Sequence, residues 1–350
     1  MAQSYEQSIS YIVNKSGDNY PTLKNFLATN SIAIFLLTKK LVGKSIYIHH
    51  LQTLFPNEFQ IISVGDIVRG VQAEISEELK NDIRTTLKNQ GNIGEFTQFE
   101  QILDSIKTST VKKLLPSSIT EFLIRREIVK IPNNKSIIFD GLPRAIDQIP
   151  FVNTIITELQ NNTNRKSLLI EIDLNDEILD ARQTARRICP ACGLNSNIMT
   201  VVGGTPKFDK NTQEFYLECD SPTCKNKAIK LEVKAGETDY ESMIIRRRQE
   251  EVVNKKMREN ANEKYIYLRS DVLVDDFKKD KETMNIELNQ VTKFSLDKNE
   301  SVTLEQVAQI GHIDGLPAQA GVQAEAGKPA YSLAPAGFLP ILINKIVKKI

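Results

Sequence analysis

The stretch from Ser31 to Phe55, SIAIFLLTKKLVGKSIYIHHLQTLF, constrains the chain more than any other. Ile32 to Leu37 form an unbroken apolar run that reads as a buried strand; a tight loop follows, then apolar residues at helical spacing. The loop TKKLVGKS, Thr38 to Ser45, is one residue away from the phosphate-binding pattern GxxxxGK(S/T): Gly43, Lys44 and Ser45 are in place, and Thr38 stands for the opening glycine. In such a loop, backbone N–H groups and a helix N-terminus surround a phosphate while the lysine reaches its outer oxygens. Thr38 and Leu41 adopt glycine-only backbone angles at a cost, so the same residues also read as an ordinary turn containing Gly-Lys-Ser.

Strand and helix patterns alternate through the next part of the chain. Residues 1–30 are polar, with one short helix. EFQIISVGDIVRG, Glu58 to Gly70, gives a second strand (Phe59 to Ile62), a Gly65–Asp66 turn and a helix with Arg69 on its first turn. Val71 to about Leu114 is helical and polar, with turn signals at Gly91 and Gly94; LLPSSITEFLIRREI then supplies Pro116, a capping Ser and an amphipathic helix. A third strand, SIIFD, ends at Asp140 and runs into GLPR, Gly141 to Arg144. An acid closing an apolar strand is how a phosphate-loop protein presents a carboxylate to magnesium, and equally how a strand ends on a helix-capping Asp. The fourth strand, Ser167 to Leu174, precedes the helix NDEILDARQTARR, where the spacing puts Arg182 and Arg186 on one face. Short apolar strands separated by helices indicate an α/β fold with a parallel sheet covered on both sides.

At Cys189 that pattern breaks. All 4 cysteines fall in one segment, Cys189 and Cys192 at C-x2-C spacing and Cys219 and Cys224 at C-x4-C spacing. Between the pairs, Gly203, Gly204 and Pro206 and the alternating Phe215, Tyr216 and Leu217 suit a small hairpin. Two close pairs around such an insert fit a tetrahedral four-cysteine zinc site. Disulfides are the alternative, disfavoured because the N-terminal residues show no export signal. No apolar run approaches the roughly 20 residues needed to cross a bilayer, so a cytoplasmic protein without a membrane partner is expected. The net charge of +1 speaks against a protein living mainly on nucleic acid.

The remaining chain is less informative. ETDYESMIIRRRQEEVVNKKMREN reads as a long charged helix carrying Arg246, Arg247 and Arg248, two of them on a solvated face. From about Lys264 to Val307 the pattern alternates like strands or hairpins. Gly311 to Gly337 is rich in Ala, Gly and Pro and reads mostly as loop, with Tyr331 to Leu333 a last strand. A helix carrying Phe338, Leu339, Leu342, Ile343 and Ile346 packs into the core at the end.

Together the motifs resemble the adenylate kinase branch of the nucleoside monophosphate kinases, over most of residues 31–250. That family carries GxPGxGKGT, STGDxxR, DGFPRTxxQ, DxxxxRR and, in members with a metal, CPxCG. The counterparts here, in the same order, are TKKLVGKSI, SVGDIVR, DGLPRAIDQ, ARQTARR and CPACG. The resemblance implies a P-loop NTPase-type parallel five-stranded sheet with helices on both faces. Its core would comprise residues 31–70, 115–188 and 240–350, with an extra strand-like segment at about 264–310. Residues 1–30 would be an N-terminal extension, 71–114 a helical monophosphate-binding insert and 189–239 a zinc lid.

The activity implied is reversible transfer of the terminal phosphoryl of ATP to AMP, or a related monophosphate, with magnesium, by a monomer. Lys44 would hold the ATP phosphates, with Gly43 and Ser45 lining the loop. Arg69 and Arg144 would bind the monophosphate's phosphate, Gln148 its base, and Gly65, Asp66 and Gly141 would shape that pocket. Arg182, Arg186 and Arg246 would grip the transferring group; Asp140 would face magnesium through water. The zinc would be structural. The sequence departs from the family at Thr38, Leu41 and Ser45, which replace phosphate-loop glycines, and at Ile46, Val64 and Ala145, which replace threonines. Lys234 is nearest to a missing lid arginine, and the lid's paired aspartates reduce to Glu237 and Asp239. These departures keep open a catalytically silent nucleotide-binding or scaffold protein. A zinc ribbon touching nucleic acid is a third reading, opposed by the near-neutral charge.

Overall fold

A computed structural model describes residues 5–109, 115–192, 195–198, 204–221, 224–225, 228–233, 240–261, 264–273, 290–297, 301–308, 322–324, 328–333 and 335–350. The chain begins with α1 (Tyr5–Ser16) and α2 (Asn19–Thr29). Then come β1 (Ile32–Thr38), α3 (Lys44–Leu54), β2 (Phe59–Ser63), α4 (Val64–Ala73), α5 (Glu77–Gln90), α6 (Phe99–Thr108) and α7 (Ser117–Val129). β3 (Ser136–Asp140) leads through a 3-10 turn (Ile146–Gln148) into α8 (Ile149–Thr163), β4 (Lys166–Asp173) and α9 (Asp176–Ala185). β5 (Arg186–Ile188), β6 (Asn195–Asn197), β7 (Thr205–Asp209) and β8 (Glu214–Glu218) are short and precede α10 (Tyr240–Asn260). The last elements are β9 (Tyr265–Arg269), β10 (Asp271–Leu273), β11 (Gln290–Leu296), β12 (Val302–Ala308), β13 (Val322–Ala324), β14 (Lys328–Ser332) and α11 (Pro335–Val347).

The chain divides into two compact units. The first comprises Met1–Asp173, Arg246–Leu268 and Leu339–Ile350. Its centre is a five-stranded, all-parallel sheet in the order β2-β3-β1-β4-β9, with helices on both sides. All seven residues of β1 are buried, as a strand covered on both faces requires. On one face Ala33, Phe35 and Leu37 pack with Ile137, Phe139 and Leu169 against Val152 and Ile155 of α8 and Met257 of α10. The Phe35 and Phe139 rings stack at 4.3 Å between centroids. Each such side chain fully withdrawn from water contributes about 1.5–3 kcal/mol before entropy is charged against it. A second cluster, of Leu79, Ile83, Ile102, Ile106, Ile119 and Leu123, joins α5 and α6 to α7. Arg126 on α7 reinforces that join through Asp82 on α5, 2.5 Å away.

Several expectations change here. The N-terminal residues form two helices rather than one, with Ile12, Leu23 and Leu27 buried. Arg69 lies on the second turn of α4, because Ser63 caps the helix and Val64 starts it. Pro116 occupies the N-cap of α7 with no side-chain cap, and the Ser117 hydroxyl donates instead to Asp147 Oδ2 at 2.7 Å. Arg247, assigned to a solvated face, is buried, while Arg248 is exposed.

The second unit comprises Leu174–Ile245 and Arg269–Phe338. β5 pairs antiparallel with β6 and β7 with β8, the latter being the expected hairpin. Isolated bridges from Ile188 to Glu232 and from Glu218 to Lys230 tie residues 228–233 to both pairs. β11 and β12 form another hairpin, and β10, β14 and β13 a small antiparallel sheet. Part of the stretch read as loop is therefore strand, held by pairing to Asp271–Leu273 rather than by its own propensity. Gly203, Lys234, Glu237 and Asp239 lie outside the described residues.

Candidate functional site

β1 delivers the chain to the loop at its C-terminal end. Thr38 needs no glycine geometry, since it is the last residue of β1, in register with Ile172. Leu41 does: its φ is +75°. A bulky L-residue held there costs on the order of 1–3 kcal/mol. The loop thus takes at a leucine a backbone shape that glycine adopts freely. Gly43, at φ +103°, forms the N-cap of α3 and lets the chain turn into Lys44, the first helical residue.

Acidic groups of the first unit engage this loop from three elements. Lys44 Nζ lies 3.0 Å from Asp140 Oδ1 at the end of β3. That oxygen is buried and takes no aligned hydrogen bond. Lys39 Nζ pairs with Asp173 Oδ1, at the end of β4, at 3.1 Å. The backbone N–H of Lys40 donates to Glu250 Oε2 on α10 at 2.6 Å, and Arg246 Nε donates to Glu250 Oε1 at 3.2 Å.

Beyond β3 the chain places Arg144. Gly141, at φ +78°, turns it back so that Arg144 Nε donates to the Gly141 carbonyl at 2.8 Å. The Arg144 backbone N–H donates to Oε1 of the buried Gln148 at 2.7 Å. Arg69, ion-paired with Asp66, meets Arg144 over Gly65, where a Cβ would lie 3.2 Å from Arg69 Nη1 and 3.3 Å from Arg144 Nη2. Burial, then the nearby Arg246 and Arg69 charges, lower the Arg144 pKa against the opposing pull of Asp140 and Glu250. Lys44, Arg69, Arg144 and Arg246 therefore bring positive charge to one region of the first unit. Ser45 is exposed at the start of α3.

Arg182 and Arg186 belong to the second unit and do not share a helix face. α9 ends at Ala185, and Arg186 begins β5, opposite Asn197. The cause is local competition: the Ala185 carbonyl accepts from the Ile198 N–H at 2.9 Å, so strand pairing captures the turn that would have carried Arg186 onward. Both arginines are partly buried.

The cysteines converge. All four sulfurs lie within 4.8 Å of one another, with Cys189 and Cys224 at 3.9 Å and Cys192 and Cys219 at 3.6 Å. Four thiolates about 2.3 Å from one zinc stand roughly 3.8 Å apart, so the donor set fits that ion. None is in a disulfide. Cys189, Cys219 and Cys224 are buried with Leu217 and Leu231, and Cys192 is exposed. Burial pushes the Cys219 thiol up to about 12, helped by the neighbouring thiols. Burial also works against the Cys189 thiolate, but the N–H groups of Cys192 and Ala191 bring that thiol down to about 7. Four thiolates this close need a cation to ionise together.

Sequence reasoning passed over Lys39, Asp173 and Glu250. Asp173 closes an apolar strand as Asp140 does, and Glu250 stands four residues after Arg246 on one helix, so both signals were present. Nothing in the sequence announced the contact from Glu250 to a loop amide.

No family model matches the chain. It is similar to curated adenylate kinases. It is 26% identical to that of Thermotoga petrophila over 196 residues, 56% of this chain and 71% of that protein. The enzyme of Thermotoga maritima is 27% identical over the same shares. That of Staphylococcus aureus is 32% identical over 87 residues, 25% of this chain and 39% of that protein.

Proposed function

We propose that the chain is a nucleoside monophosphate kinase that moves the terminal phosphoryl of ATP reversibly to AMP or a close relative. The observation that carries this reading is the gathering of Lys44, Arg69, Arg144 and Arg246 beside the loop between β1 and α3, with Asp140 at its edge. Phosphoryl transfer asks a protein chiefly to align two nucleotides and to neutralise charge on the moving oxygens. Guanidinium groups suit this because they stay charged and grip two oxygens at once.

On this reading Gly43, Lys44 and Ser45 hold the donor's phosphates. Arg69 and Arg144 take the acceptor's phosphate, with Gly65, Asp66 and Gly141 giving them room. Gln148 meets the acceptor base through its amide nitrogen, its oxygen being engaged by Arg144. Arg246 steadies the group in transit. Magnesium, bound with ATP, would neutralise its phosphate oxygens; Asp140, with a buried oxygen free of aligned hydrogen bonds, fits the water-mediated role beside it. Residues 71–114 form the acceptor insert and 189–239 the lid, stiffened by zinc on Cys189, Cys192, Cys219 and Cys224. A four-thiolate zinc site fits a reducing compartment such as the cytoplasm. No described helix is long and apolar enough to cross a membrane.

A second reading, nucleotide binding without turnover, draws on Leu41 and on the Lys40 amide already held by Glu250. The two separate in one experiment: purified protein with ATP, magnesium and a panel of AMP, UMP, CMP and GMP. Formation of a diphosphate from any acceptor supports the kinase. Nucleotide binding by calorimetry with no diphosphate from any of them leaves the silent reading.

A further inference from the structure

We infer that Glu250 is a resident anion of the phosphate loop, one that an incoming phosphate must displace, and that it therefore sets the affinity for the triphosphate donor. The inference rests on reading that loop as the donor site. A carboxylate oxygen and a phosphate oxygen are the same kind of acceptor, a charged oxygen with open lone pairs. Glu250 Oε2 already holds the Lys40 backbone N–H at 2.6 Å. One N–H directed at that carboxylate cannot serve a phosphate at the same time.

Two features separate this contact from an incidental surface pair. The Glu250 side chain is only 14% exposed, so water screens it poorly. Its other oxygen accepts from Arg246, one helical turn earlier on α10, so helix geometry presents the carboxylate and the guanidinium together. Displacing Glu250 from Lys40 would also loosen its hold on Arg246, one of the cations assigned to the moving phosphoryl group. Donor binding and the release of Arg246 become a single event. Lys39 and Lys44, paired with Asp173 and Asp140, have internal counterions of the same kind.

The test measures binding rather than turnover, on the full chain. Glu250→Gln keeps the side chain's shape and removes its charge; Glu250→Ala removes it altogether. Calorimetry with inorganic tripolyphosphate, and with ATP, should show about fivefold to tenfold tighter binding in both variants. The ligand-free melting temperature should meanwhile fall, because Arg246 loses its partner. A merely structural glutamate would lower stability and affinity together. In the wild-type protein, which needs no variant to fold, the Lys40 amide resonance should shift as tripolyphosphate is added. Unchanged or weaker binding in the variants, no binding by any of the three proteins, or an unmoved Lys40 amide would each overturn the inference. Tighter binding without diphosphate formation would uphold Glu250 and remove the kinase; turnover with unchanged affinity would do the opposite.

Discussion

At Leu41 the backbone takes a φ of +75° that glycine adopts freely and leucine does not. Leu41→Gly should therefore leave the melting temperature unchanged or raise it, within about 1 kcal/mol, although it deletes a large side chain. A loss of several degrees would show that Leu41 packing outweighs the strain. Gly141 presents the reverse case. A Cβ there would lie 2.7 Å from Arg144 Nε, and φ is +78°. Gly141→Ala should destabilise by about 1 kcal/mol and raise the KM for the monophosphate roughly tenfold by pushing Arg144 aside, with the KM for ATP much less affected. Lys44→Ala should lower kcat by about two orders of magnitude or more while zinc content stays at the wild-type level. Burial works against the Asp66 carboxylate, but the Ser63 hydroxyl and Arg69 hold it below its usual value. A depressed acid stabilises the fold above its unfolded pKa and loses that contribution as pH falls through the lower folded value. Melting followed from about pH 5 to about pH 3 should therefore decline slightly less in Asp66→Asn than in the wild type, the pair being exposed.

At the scale of elements, buried charge decides more than the apolar pattern discloses. Arg165, just before β4, is fully buried and donates to the carbonyls of Lys135 at 2.9 Å and Pro132 at 2.6 Å. It satisfies the turn that launches β3, and with it the strand that positions Asp140. Arg165→Met should cost about 1.5–3 kcal/mol in denaturant unfolding, because the Lys135 and Pro132 carbonyls lose a charged donor. No periodicity in the sequence distinguishes Arg165 from a surface arginine. Arg186 makes the complementary point. Its spacing from Arg182 is helical, yet pairing with β6 decides its conformation, because an isolated last turn gains less than a strand paired along its length. Strands β1 to β4 were legible to within a residue, since nearly unbroken apolar runs leave a buried strand few alternatives.

At the scale of the molecule, the cysteine cluster organises its part of the second unit. Leu217 and Leu231 are the only fully buried apolar side chains, among the described residues, that pack with the three buried cysteines, too few to hold such short strands by themselves. A metal there should supply much of the local stability. Metal analysis under reducing conditions should give about one zinc per chain, and a strong chelator should lower the melting temperature and speed proteolysis within residues 189–239. Protein that is metal-free as purified, or indifferent to chelator, would refute the assignment.

The sequence by itself determined the alternation that makes a parallel sheet, the loop at the end of its first strand and the thiol pairs, because each is written in neighbouring residues and depends on little else. It could not state which charges meet. Glu250 reaching Lys40, Asp173 reaching Lys39 and Arg165 reaching Pro132 join positions from 33 to 210 residues apart. Such pairings exist only once burial has brought helix and strand together, and a lone carboxylate or guanidinium carries no mark of the partner it will find.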